Sequence, residues 1–579
     1  MNKKLIFPLA ASLALIIAVA CSPTAKPTAP AAPGQPSPAS PGSGAPSSAG
    51  SNTINFVIGS ENDPVMRNIV QPWFSSQKWT ATYGILGSVD QKLLCETGKM
   101  VDNQGHAYNV MWPANKTWAL ICDKHKILVD NPSPAFYTPI VIAWPASGPI
   151  EALGWTGKAI SLDDVVAQVK QGRQLWTSNL TQSNSGAVTA IALWNKVAGN
   201  DPSTPLTLEQ VNNPAVISQV HDFYSLVNHG AASTAYVTNN CLAAPNCDML
   251  VTYETLAIQH NLADPKNLLH VAYLADAFLY SDATPQFIQN GLPDDAAKKQ
   301  MFDAFLKYMQ TPEAEQKLIA LGERPAQNGL RLDPNNPSIR SVFNPDWGIQ
   351  PTIKIQPITL PEGPVLEQLF YNYQTSARPA YDLVEVLDRS GSMRDSGKWD
   401  ELIKGLGYIT DKDQATNYQL LANPGDLTTF ITFSGQVDYV SPTVTGDDYA
   451  AFAGIYNKIK ADSTGSTTDI FGALNKALDV FGQHPQVESR KHLLILMTDG
   501  IQNASSTINS YLQRWKSVSN LKVIAVGIGP DVDVDQLHQI VDPMQGLVIL
   551  TDPNFKPSKW NEAKASGILD AIRQTVGSK

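Results

Sequence analysis

Two apolar runs in the C-terminal third of the chain each end on an aspartate, and this pattern restricts the fold more than any other. Leu383 to Leu387 leads into Asp388 within YDLVEVLDRSGSM (Tyr381 to Met393), and His492 to Thr498 leads into Asp499 and Gly500. Short apolar runs of this kind read as strands buried on both faces of a parallel sheet. In open α/β sheets, ligands bind just beyond the carboxyl ends of such strands. Asp388, Ser390 and Ser392 stand at alternate positions, with Gly391 between the serines. One carboxylate and two hydroxyls make a compact, hard oxygen cluster, the chemistry that suits Mg²⁺ or Mn²⁺. Between the two runs, Thr467-Thr468-Asp469 precedes Ile470, Ala473, Leu474, Ala477, Leu478 and Phe481. That spacing marks an amphipathic helix.

The DxSxS string resembles the metal-ion-dependent adhesion site of the von Willebrand factor type A (VWA) domain. The resemblance implies a fourth ligand from a threonine loop, which falls on Thr468, and a fifth from a strand-terminal Thr-Asp-Gly, which falls on Asp499. Ser466-Thr467 replaces the family's paired glycines, so Thr467 competes for the threonine role; Thr468 keeps the register because Asp469-Ile470 follows it. The expected metal ligands are therefore Asp388, Ser390, Ser392, Thr468 and Asp499, holding Mg²⁺ or Mn²⁺. Further strands at Phe430–Phe433, Val523–Ile528 and Leu547–Leu550 alternate with helices. A doubly wound, Rossmann-like α/β domain over 380–579 is expected.

The 579 residues are too many for one core and suit about two to four domains. Lys3 and Lys4, an apolar run from Leu5, and small residues up to Ala20 read as a secretory signal over 1–20. Cys21 directly after them resembles a bacterial lipoprotein box, which implies a lipidated Cys21 anchored to the cell membrane and facing away from the cytoplasm. Pro, Ala, Ser, Gly and Thr dominate from Ser22 to Asn52, a composition that buries no core and is expected to form a tether over 21–52.

Export places the remaining cysteines, Cys95, Cys122, Cys241 and Cys247, where disulfides persist. Four cysteines allow three connectivities. The short spacing of Cys241 and Cys247 suggests one local bridge, which would leave Cys95 with Cys122.

From Thr53 the chain opens with an apolar strand, Ile54 to Ile58, and a Gly59-Ser60-Glu61 turn. Strand-like runs recur at Pro139–Trp144 and Met249–Tyr253. Gln300 to Met309 carries Phe302, Phe305, Leu306 and Met309 on one helical face, and Thr311-Pro312-Glu313 opens another helix. Three places resemble bacterial extracellular solute-binding proteins of the two-lobed periplasmic type: the opening strand and turn, Thr177 to Gly186 leading into a helix, and the run from Ala304 to Pro325. The resemblance implies a two-lobed domain over 53–375. A Ser/Asn-rich turn before a helix offers hydroxyls and backbone N–H groups to a polar or anionic ligand, so Ser60, Glu61, Ser183, Asn184 and Ser185 are the candidate solute contacts. Glu254, after the Met249–Tyr253 strand, is expected either to face the cleft or to lie at a solvated strand end. Asn335 to Arg378, rich in proline, reads as a connector.

With 42 Lys and Arg against 52 Asp and Glu, the net charge of −10 argues against nucleic acid as a partner. The sequence holds no His-Glu-x-x-His, Gly-x-Ser-x-Gly or phosphate loop, and an enzyme is not expected. The sequence points to a surface-anchored binding protein whose metal site takes an acidic side chain of a protein partner, with a small polar solute in the first domain. A transport component, with the VWA domain as docking module, is the alternative.

Overall fold

The apolar runs become strands wherever both sheet faces are covered, and three sheets result in the computed structural model. The structure describes residues 52–102, 105–129, 133–227, 229–244, 246–461, 465–485, 490–544, 546–552, 563–565 and 568–577. The expected signal, the lipidated Cys21 and nearly all of the tether lie outside these residues.

The first sheet has five strands in the order Thr80–Ile85, Thr53–Ile58, Val110–Trp112, Gln286–Ile288 and Leu128–Val129. The first three are mutually parallel, and Gln286–Ile288 runs antiparallel to its neighbours. The second sheet is built around Phe136–Pro145, which lies between Leu269–Leu274 and Met249–Tyr253; Leu175–Ser178 and His229–Ala231 follow outward. The chain therefore leaves the first sheet, builds the second, and returns to the first through Gln286–Ile288. That crossing defines two lobes. One core lies around Phe56, Phe74, Trp112 and Phe305; the other, around Trp144, Ile191, Trp194 and Tyr253, also takes in Val89, Ala114 and Trp118 from the connections of the first sheet.

Two helices of this body show how local sequence sets their ends. Thr311 caps Pro312–Ala320, its side chain accepting from Ala314 N, with proline in the first turn. Gln300–Met309, expected from its aromatic face, extends back to Asp295. Both disulfides join the expected partners, Cys95 to Cys122 and Cys241 to Cys247.

The third sheet runs Val437–Val440, Leu427–Phe433, Tyr381–Asp388, Lys491–Thr498, Leu521–Gly527, Leu547–Leu550, Ala563–Lys564. The Val437–Val440 strand is antiparallel, and the others in this path are parallel. Alternate side chains of each strand serve opposite faces. Leu387, Ile495, Met497 and Val526 pack under the helices Lys398–Thr410, Tyr449–Ala461 and Ile568–Gly577. Val386, Phe433, Leu496 and Ala525 pack under Ile470–Gln483 and Val534–Val541. Tyr381–Asp388 is central, and the chain departs from it first to one side and then to the other. Asp388 thus stands at the switch point, where such sheets place their ligands. Among the described residues no helix is long and apolar enough to cross a membrane.

Candidate functional site

At the carboxyl edge of the third sheet, three segments converge. The Tyr381–Asp388 strand delivers Asp388, the Lys491–Thr498 strand delivers Asp499 immediately after its end, and the loop before Ile470–Gln483 delivers Thr468. Asp388 is fully buried. Its Oδ1 accepts from Ser390 N at 2.8 Å, and its Oδ2 accepts from the Thr498 hydroxyl. Ser390 Oγ and Ser392 Oγ are 3.1 Å apart, and Ser392 Oγ donates to Asp499 Oδ1 at 2.9 Å. Lys398 Nζ donates to Asp499 Oδ2 at 2.6 Å.

Thr468 is the residue of its pair that faces this cluster. A Cβ built on Gly500 would lie 3.4 Å from both Thr468 Oγ1 and Asp388 Oδ2, so the two oxygens border the same small residue. Thr467 is exposed, and its Oγ1 points instead at Gly435. The Thr468 backbone is held by Asn503, whose Oδ1 accepts from Thr468 N at 2.7 Å and whose N–H donates to Thr468 O at 3.1 Å. Asp469 turns away to cap the following helix at Gly472 N.

Burial pushes the Asp388 carboxyl up to about 6, and the charge of Asp499 adds to the shift, while bonds from Thr498 and Ser390 oppose it. Two carboxylates and two serine hydroxyls in one hydrogen-bonded cluster, with the Thr468 hydroxyl bordering it, fit a small hard cation, which would relieve that like-charge cost. Among the described residues no group of three or more His, Cys, Asp or Glu side chains could hold a metal ion; this cluster has two carboxylates and supplements them with hydroxyls. Thr498, Lys398 and Asn503 were not singled out by sequence. Thr498 was findable as the oxygen-bearing residue before Asp499, but Lys398 meets a partner 101 residues away.

The solute-contact candidates also come together. Ser60 and Glu61 open a short helical turn after the first strand, and the helix Thr234–Ala243 packs on that turn. Asn184 and Ser185 lie inside the first turn of Asn184–Val197, with Ser183 as its N-cap. This differs from the expected free turn: their polar groups are already bonded within the protein. Trp118 Nε1 donates to Asn184 Oδ1 at 2.7 Å, and Asn184 Nδ2 donates to Tyr253 Oη at 2.9 Å. Ser185 Oγ lies 2.7 Å from Ser178 Oγ and 2.6 Å from Thr234 Oγ1, and Ser183 Oγ is 3.2 Å from Thr234 Oγ1. All five candidates are buried, and burial pushes the Glu61 carboxyl up to about 7.

Glu254 matches neither expectation. It is fully buried, with Arg324 Nε at 2.9 Å from Oε1, Arg324 Nη2 at 3.0 Å from Oε2, and Tyr273 Oη donating to Oε2 at 2.7 Å. The arginine arrives on the short strand Arg324–Pro325, which pairs with Phe136–Pro145 and turns a strand end into a core ion pair.

Each body is similar to a known family. The architecture is a two-lobed, periplasmic-binding-protein-like α/β body followed by a doubly wound α/β domain like that of the von Willebrand factor type A family. Residues 382–565 match the family model of the von Willebrand factor type A domain, and residues 77–322 match that of the bacterial extracellular solute-binding protein. Among solved structures, a von Willebrand factor type A protein from Catenulispora acidiphila is 20% identical, with a TM-score of 0.28. The alignment covers 35% of this chain and 43% of that one, so this chain spans less than half of it. The sulfate-binding protein SubI from Mycobacterium tuberculosis H37Rv is 14% identical over 54% of this chain and 96% of its own, with a TM-score of 0.36. The periplasmic binding protein AfuA from Actinobacillus pleuropneumoniae is 10% identical over 55% and 97%, with a TM-score of 0.41. No curated protein matches the chain. The extracellular solute-binding match supports an exported protein.

Proposed function

We propose that this is a lipid-anchored binding protein whose VWA domain recognises an acidic side chain of a protein partner through one divalent cation. Asp388, Ser390, Ser392, Thr468 and Asp499 would hold Mg²⁺ or Mn²⁺, and Cys21 would carry the lipid. The observation that carries the reading is the convergence of Asp388, Ser390, Ser392 and Asp499 in one hydrogen-bonded chain at the sheet's switch point, with Thr468 bordering it. Bound there, the cation would supply an incompletely neutralised positive charge open to a carboxylate from outside. The chain's own groups do the positioning. Thr498 and the Ser390 amide fix both Asp388 oxygens, Ser392 orients Asp499, and Asn503 fixes the Thr468 backbone. This chemistry is binding, with no bond made or broken.

The two-lobed body is proposed to hold a small polar solute at Ser60, Glu61, Ser183, Asn184 and Ser185, with Ser183, Asn184 and Ser185 exchanging the hydrogen bonds they make within the protein for bonds to the solute. Buried Glu61 among these groups favours a neutral or donor-rich solute over an anion. The transport reading rests on this body and makes the VWA domain its docking module.

The test is retention of aspartate-containing peptides by the immobilised full chain. Retention in Mg²⁺, release by EDTA and loss in Ser392→Ala are expected. Retention indifferent to EDTA would contradict a cation-mediated contact.

A further inference from the structure

The helix Ile568–Gly577 is the last described element of the VWA domain, and it belongs to two bodies at once. On one side it is seated by Gly405 of the helix Lys398–Thr410: a Cβ there would lie 2.5 Å from Ile568 Cγ1 and 3.0 Å from Ile572 Cδ1. Glu401 Oε1 accepts from Ile568 N at 3.1 Å. On the other side Arg573 leaves its own domain. Its Nη2 is 2.5 Å from Asp90 Oδ1 and donates to the Thr181 carbonyl at 2.7 Å.

Those two acceptors belong to different lobes. Asp90 stands in the helix Ser88–Glu96, between two strands of the first sheet. Thr181 follows the Leu175–Ser178 strand of the second. One guanidinium nitrogen therefore touches both lobes, and the contact is dry: Arg573 is 2% exposed and Asp90 6%. The lobes also meet backbone to backbone beside it. Val89 N donates to Gln182 O at 3.3 Å, and a Cβ on Gly87 would lie 2.3 Å from that same oxygen. The approach exists only because position 87 is glycine. Burial holds the Tyr236 hydroxyl of the second lobe well above its usual range, and the charges of Asp570, one turn before Arg573, and of Asp63 in the first lobe add to that shift.

We propose that Arg573 is an interdomain clamp: the terminal helix of the VWA domain docks across the two lobes and holds them closed, so that opening of the solute cleft requires this helix to leave. The geometry supports a specific device. A monodentate contact to one lobe would fix the domains relative to each other and leave the lobes free; a bridge between lobes fixes the cleft itself. Asp90 is too deeply buried to be left without its partner at no cost. The inference rests on the two-lobed fold and is independent of the metal site.

Hydrogen–deuterium exchange of the full chain tests it, comparing wild type with Arg573→Ala and Asp90→Asn. Segments 87–94 and 179–187 are expected to exchange at least tenfold faster in both variants, while Tyr381–Asp388 and Met249–Tyr253 keep wild-type rates. Arg573→Lys, which keeps the charge on a shorter, single-headed group, is expected to fall between. Unchanged exchange at both cleft segments would overturn the clamp, as would acceleration in one variant only. An equal rise at Tyr381–Asp388 would overturn it too, because the contact would then support the whole fold.

Discussion

Lys398 presses its ammonium against Asp499, with Nζ 2.6 Å from Oδ2 and both side chains almost fully buried. The lysine has a track made for it: Gly529 adopts a φ of +88°, and a Cβ there would lie 2.8 Å from Lys398 Cε. A fixed cation therefore neutralises one of the two carboxylates of the candidate metal site. Lys398→Met is expected to destabilise the metal-free chain by about 3 kcal/mol, the scale for removing one partner of a buried pair. It should also tighten Mg²⁺ binding, because a positive charge beside the cation is gone. Chemical denaturation in EDTA and in Mg²⁺ checks both. Equal losses under the two conditions would count against the lysine's tie to the site.

Glu61 is expected to make the stability of the two-lobed body depend on pH. Burial raises its carboxyl from 4.5 to about 7, against the lowering effect of its own backbone N–H; Tyr253 and Glu323 are the ionisable groups that feel it. Between those values the unfolded chain has lost the proton and the native chain keeps it, so this stability is full below about 4.5 and is lost as pH rises through about 7. The contribution is ~3 kcal/mol. Glu61→Gln should flatten this part of the profile, which urea denaturation at pH 5 and pH 8 measures. A slope as steep in the variant as in the wild type would place the titration elsewhere.

The two halves of the chain were legible to different degrees, for a physical reason. In the C-terminal domain the strands are buried on both faces, so Leu383–Leu387, interrupted only by Glu385, and Leu493–Met497 show as apolar runs, and the aspartates that follow them reach the sheet edge by topology alone. The Leu547–Leu550 strand has the expected bounds, and Leu427–Phe433 starts only three residues earlier than expected. Side-chain partners far apart in sequence were not legible. Nothing near Lys398 announces Asp499, and nothing near Glu254 announces Arg324, 70 residues on. The hydroxyls of Ser183 and Ser185 looked free because their partner, Thr234, arrives from a later helix. The reach of Arg573 to Asp90 spans nearly the whole folded chain.

Arg324 and Glu254 are both fully buried, and the guanidinium also donates to the carbonyls of Pro351 at 2.8 Å and Gln350 at 2.7 Å. It thus ties the connector to the second lobe. Arg324→Met should cost about 3 to 5 kcal/mol, leaving Glu254 buried without its ion-pair partner. Arg324→Met with Glu254→Leu should cost less than Arg324→Met alone. Denaturant midpoints of the three chains decide this; a double variant weaker than the single one would contradict it.

The central claim is that Asp388, Ser390, Ser392, Thr468 and Asp499 hold one divalent cation. Isothermal titration of the full chain with Mg²⁺ and then Mn²⁺, wild type beside Asp388→Ala, tests it most directly. One site per chain in the wild type is predicted, with none in Asp388→Ala and little change in fold, since Asp388 stands at the sheet's rim. Equal affinity in the two proteins, or no binding to the wild type, would contradict the account.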